Sequence, residues 1–132
     1  IKGSNSVVDN INYFSIYKIL DETKADLKHY QDFYQQLDTM VEKKSDNIRV
    51  LMAKMKGFIA KQQESKGNYY EALTSLEQGM EVLEYSLIPP ILVYYQLFRT
   101  YGFIQYKLNN RKEALEALEE SVKMIEQVLQ HS

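Results

Sequence analysis

The chain has 132 residues, 16 basic against 18 acidic, and neither cysteine nor tryptophan. That length suits one domain with a core of its own, and the lack of cysteine excludes disulfide scaffolds, thiolate metal sites and cysteine nucleophiles. The two charge signs are interspersed, so no basic field steers nucleic acid or an anionic membrane, and no apolar run approaches the ~20 residues of a membrane span.

Only five glycines and two prolines occur, while good helix formers abound, which predicts an all-α domain. The chain starts at Ile1 with no signal-peptide pattern and reads as a fragment of a longer, cytoplasmic protein. Residues 1–6 are small and polar, like a tag or a frayed end. From Val7 to Leu20, the residues Val8, Ile11, Phe14 and Tyr17 recur at three-residue steps and predict a helix, with a strand as the alternative that the β-branched and aromatic content leaves open. Asp21-Glu22-Thr23 supplies an acidic first turn for the next helix. Leu27, Tyr30, Phe33, Tyr34, Leu37, Met40 and Val41 form its apolar stripe, and Lys43-Lys44 closes it. With no glycine or proline between them, these two could run as one helix.

Ser45 is the expected N-cap of a helix carrying Ile48, Leu51, Met52, Met55, Phe58 and Ile59 on one face. Gly67-Asn68 is a turn, after which Ala72, Leu73, Leu76, Met80 and Leu83 form the stripe of a helix reaching about Glu84. Pro89-Pro90 suits a helix start, where a missing N–H costs nothing. Leu92, Tyr95, Phe98 and Tyr101 carry that helix toward Leu108, Asn109-Asn110 turns, and Arg111 to about Gln130 forms the last one. The count is five or six helices.

The two turns align as an internal repeat. Lys66-Gly67-Asn68-Tyr69-Tyr70-Glu71-Ala72-Leu73 corresponds to Leu108-Asn109-Asn110-Arg111-Lys112-Glu113-Ala114-Leu115, a period of 42 residues. Upstream, Ala60 falls opposite Gly102. A small residue in one helix, a tight turn and an alanine early in the next resemble the tetratricopeptide repeat in a long-period form. The resemblance covers about residues 45–130. It implies antiparallel helix pairs stacked as a short right-handed superhelix, with repeats at 45–86 and 87–130; length and periodicity alone add a diverged pair at 7–44. Ala60 with Ala72, and Gly102 with Ala114, would let paired helices approach closely, and Leu76 and Leu118 would fill the large apolar position. The pattern departs from the family where its tryptophan is replaced by Lys56 and Phe98, its tyrosine by Gln63 and Gln105, and its closing proline by Glu84 and Glu126.

The family lines a concave groove with the first helix of each pair. The resemblance therefore implies a partner-binding surface of Lys54, Gly57, Lys61 and Glu64 in the first repeat and Gln96, Arg99, Phe103 and Tyr106 in the second. The Lys-then-Asn clamp by which some members hold a C-terminal carboxylate is not matched at Gly57/Lys61 or Arg99/Phe103. Eleven tyrosines suit either half-buried core edges or a recognition surface.

No catalytic constellation stands out. His29 and His131 are far apart in sequence, and no phosphate-cradling glycine loop or serine elbow occurs. The expectation is a non-enzyme without metal or cofactor. The helix after Gly67-Asn68 has no lysine or arginine, so direct nucleic-acid binding through a helix-turn-helix is not expected. The leading function is a protein- or peptide-binding module. The alternative is a sensor domain of a bacterial transcription regulator or kinase answering a peptide or a partner domain. Self-association through the stack ends is a structural third, although Glu116, Glu119, Glu120 and Lys123 give the last helix a polar outward face that would serve as a cap.

Overall fold

The computed structural model describes residues 26–39 and 45–130. The expected helix at 7–20, the tag-like start, the acidic turn at 21–23, and Met40, Val41 and the two lysines at 43–44 lie outside them. Among the described residues the protein is all-helical: α1 (Leu27–Asp38), α2 (Asp46–Ser65), α3 (Tyr69–Leu83), α4 (Ile91–Lys107) and α5 (Arg111–Gln130).

Helix starts follow side-chain chemistry. The Asp26 carboxylate caps α1, accepting from the His29 backbone N–H at 3.1 Å, and it also meets the His29 ring at 2.7 Å. That cap breaks the continuous helix that the sequence left open, because Asp26 has extended backbone (φ −77°, ψ 173°). Ser45 caps α2 as expected, its hydroxyl accepting from the Ile48 N–H. Asp46, one residue on, accepts from the backbone N–H groups of Leu87 and Ile88 at 3.0 and 3.4 Å. The first turn of α2 thus pins the α3–α4 connection, and α4 begins directly after Pro90.

The first helices of the two pairs end identically. In α2 the Asn68 N–H donates to the Gln63 carbonyl and the Gly67 N–H to that of Glu64. In α4 the Asn110 N–H donates to Gln105 and the Asn109 N–H to Tyr106. Both ends are Schellman caps, which need a left-handed residue just past the helix. Gly67 supplies it at φ +81° and Asn109 at φ +66°.

Helix α2 packs broadly on α3, and α4 on α5. Helix α4 also touches α2 and α3, while α1 lies on the far side of α2. One apolar cluster joins the pairs: Ala53, Ala60, Ala72, Leu73, Leu76, Leu83, Val93, Leu97 and Ile104, with Val50, Tyr69, Met80 and Tyr101 at its edge. A second joins Tyr30, Phe33 and Leu37 of α1 to Ile48, Leu51, Met52, Met55 and Ile59 of α2. The small residues sit where helices cross. A Cβ built on Gly102 would stand 2.7 Å from Leu118 Cγ and 3.2 Å from the Ala114 carbonyl oxygen, so α4 and α5 approach through a glycine. Ala60 and Ala72 are fully buried at the matching crossing of α2 and α3.

Candidate functional site

The first helices of the two pairs leave a groove between them. About 430 Å³ in volume, it is lined by Lys54, Gly57, Phe58 and Lys61 of α2 and by Val93, Tyr95, Gln96, Leu97, Arg99 and Thr100 of α4. Lys54, Gly57, Lys61, Gln96 and Arg99 therefore come together in one groove. They do so because Gly57 admits the side chain of Leu97, whose Cδ2 lies 3.3 Å from a Cβ built there. Leu97 and Val93 are buried and give the groove an apolar floor.

Three of the expected residues sit outside the groove. Phe103 and Tyr106 lie further along α4, 43% and 65% exposed, and the Arg99 guanidinium rests over the Phe103 ring, 5.1 Å from its centre. That contact holds the Arg99 head at the groove's mouth. Glu64 is taken by Lys107, whose Nζ donates to it at 2.8 Å, which ties the two first helices together beyond the groove. The pairing raises the Lys107 amine above the ordinary lysine range, through its hydrogen bond and then its charge attraction to Glu64.

The electrostatics are one-sided. Lys54, Lys61 and Arg99 line the groove and, among the described residues, no carboxylate does. Among the described residues the ion pairs are His29–Asp26 and Lys107–Glu64, which leave these three cations without an acidic partner. A cleft with an apolar floor and cationic walls attracts negative charge and can bury apolar side chains beneath it.

A second, larger cleft of about 800 Å³ opens on the opposite face of α2, between α1 and α3. Its walls include Tyr34, Asp38, Lys56, Gln63, Gln78 and Glu81. The Lys56 amine lies 4.2 Å from the Tyr34 ring centre and donates to Gln78 Oε1 at 2.8 Å. Burial holds this amine below the usual lysine range, against an opposing pull from Asp38. Burial, with smaller contributions from Asp38 and Glu81, pushes the Tyr34 hydroxyl up to about 12. The folded chain therefore keeps that proton after the unfolded chain has lost it near pH 10, so stability present below pH 10 is lost as pH rises toward 12. Sequence reasoning missed this cleft, although the signal was there. Lys56 and Gln63 stand where the repeat pattern places a tryptophan and a tyrosine, and both line it.

No group of three or more metal-ligating side chains occurs among the described residues, and none of their helices is long and apolar enough to cross a membrane. Comparison with models of known protein families, with characterised proteins and with solved structures finds no match.

Proposed function

We propose that this chain is a protein-binding module of the tetratricopeptide kind, whose α2–α4 groove takes an extended acidic segment of a partner. The observation that carries the reading is the groove itself: an apolar floor of Val93 and Leu97 under Lys54, Lys61 and Arg99, with no carboxylate among the described residues that line it. An acidic segment would place its carboxylates on the three cations and an apolar side chain on the floor. Phe103 and Tyr106, exposed just beyond, extend the contact with aromatic surface of the type that dominates binding hot spots. The repeat geometry supports the same reading, because stacked helix pairs present their first helices side by side as a long recognition surface. A chain without cysteine suits a reducing compartment, and we assign the module to the cytoplasm.

The test is a fluorescence titration with a library of acidic peptides and a charge-reversed control library. Acidic members should bind, the control should not, and affinity should fall as salt is raised. Arg99→Glu should weaken the best binder about tenfold or more, since it replaces an attraction by a repulsion in a partly desolvated site. Equal binding of both libraries, or an unchanged affinity in Arg99→Glu, overturns the proposal.

A further inference from the structure

The open side of α5 presents an apolar stripe that the repeat makes interpretable. Leu115, Val122 and Leu129 are 58%, 55% and 67% exposed. Leu118 and Ile125 lie between them and are half-buried. The steps of three and four form a heptad seam, the narrow pattern that pairs one helix with another. The polar face formed by Glu116, Glu119 and Lys123 is present and exposed, but it lies beside this seam and does not cover it.

Shifting by one repeat shows what such a stripe does in this molecule. The equivalents of Leu115, Leu118, Val122 and Ile125 are Leu73, Leu76, Met80 and Leu83 of α3, which belong to the apolar cluster that α4 completes. The first pair thus uses these positions to receive a helix. The first-helix side has changed, however. Ala53 and Gly57 of α2 allow α4 to come close, whereas their equivalents on α4 are Tyr95 and Arg99. A helix docking in the manner of α4 would meet a tyrosine and an arginine where α4 meets small residues. Among the described residues of the second pair, what remains open to a helix is the α5 seam.

We infer that this seam is a dimer interface, in which α5 packs antiparallel against α5 of a second copy of this chain. In the antiparallel register that matches apolar layers, Leu115 faces Ile125 of the second copy and Leu118 faces its Val122. The same register sets Lys112 opposite Glu126 of the second copy, twice by symmetry, so charge complementarity favours this pairing. It also sets Leu129 against Arg111 of the second copy and brings the two Glu119 side chains together near the two-fold axis, which are its unfavourable contacts.

The experiment is sedimentation equilibrium on the full chain across a wide concentration range, with circular dichroism as the check on folding. Wild type should dimerise. Val122→Asp should leave helicity intact, since the site is exposed in the protomer, and weaken the dimer about a hundredfold or more by placing a carboxylate in the seam. Lys112→Glu should weaken it, and adding Glu126→Lys to that variant should restore it. Glu119→Gln should tighten it about twofold, the size of a relieved like-charge pair on a helix surface. A wild type that is monomeric at every concentration overturns the inference and leaves the seam to a helix of another polypeptide. A dimer indifferent to Val122→Asp, or a charge swap that fails to restore a folded double variant, overturns it equally.

Discussion

The two helix pairs share a repeat pattern and a C-cap, yet the same residues meet different surroundings. Leu73 of α3 is 7% exposed and its equivalent Leu115 is 58% exposed; Leu76 is fully buried and Leu118 only partly. The first pair is enclosed by α1 on one side and α4 on the other, while among the described residues the second has a neighbour on one side only. A repeat therefore specifies a helix pair and a set of apolar faces, and whether a face becomes core depends on what stands next to it.

Stability measurements can break or sharpen that contrast, and the largest effect belongs to the matched leucines. Leu76→Ala should cost about 3 kcal/mol in urea unfolding, in the range for a fully buried leucine with no room to collapse, and Leu118→Ala about half as much. Leu115→Ala should change stability by less than about 0.5 kcal/mol in the monomer. Equal losses at Leu76 and Leu118 would mean that the second pair is as well covered as the first.

The next effect tests how each pair satisfies its buried glutamine. Gln63 and Gln105 are repeat equivalents, and both are buried. Gln63 Oε1 accepts from the Ser75 hydroxyl at 2.7 Å, whereas Gln105 Oε1 accepts from Asn110 Nδ2 at 2.7 Å, because the position equivalent to Ser75 is Ala117. Asn68 stands in the first pair where Asn110 stands in the second. Ser75→Ala should therefore cost only about 1 kcal/mol, with Asn68 free to take over, and Ser75→Ala with Asn68→Ala about 2 kcal/mol, as for a buried acceptor stripped of its donor. Additive single losses in a double-mutant cycle would show that Asn68 provides no substitute.

Much of this architecture was legible in the sequence, because helix ends are written in local chemistry. Ser45, Gly67-Asn68, Pro90 and Asn109-Asn110 each act through their own backbone or an N–H within one turn, and the structure places helix boundaries at all of them. The Asp26 cap was missed because the apolar stripe from Leu27 onward was joined to an acidic stretch upstream. In the groove, Lys54, Lys61, Gln96 and Arg99 were found because positions on first helices follow from the repeat register. Phe103 and Tyr106 fell outside it, on the last turns of α4 where Lys107 reaches Glu64, a contact 43 residues apart that no local pattern announces. The cleft between α1 and α3 depends on the spacing of helices that are not neighbours in sequence, and only the polar exceptions Lys56 and Gln63 hinted at it.

A smaller difference lies at the crossing of paired helices. The first pair takes Ala60 and the second Gly102 at the same repeat position. Because a Cβ on Gly102 would stand 2.7 Å from Leu118 Cγ, Gly102→Ala forces that leucine to shift, at an overpacking cost of about 1–3 kcal/mol. The better helix propensity of alanine offsets about 1 kcal/mol of it, so a net loss near 1 kcal/mol is expected. Gly102→Ala combined with Leu118→Ala should lose less than the two single changes added together, since the shortened side chain makes room for the new methyl group. Strict additivity would mean that the two groups do not compete for the same space.

The smallest expected effect concerns the two left-handed caps. Gly67 has nothing within 4 Å of a built Cβ, so Gly67→Ala suffers from its φ of +81° alone, about 1 kcal/mol for an L-residue in that region. Asn109 already bears a milder form of that strain at φ +66°, since its short polar side chain tolerates the left-handed region better than most. Asn109→Gly relieves the strain but loses the weak 3.4 Å contact that the Arg111 Nε makes with the Asn109 Oδ1, and it adds glycine's extra entropy to the unfolded chain. The balance should be a gain of about 0.5 kcal/mol or less, read as a small rise in the urea midpoint with an unchanged slope. Two caps with one hydrogen-bond pattern should then answer in opposite directions, because only the second is held by a residue that carries a Cβ.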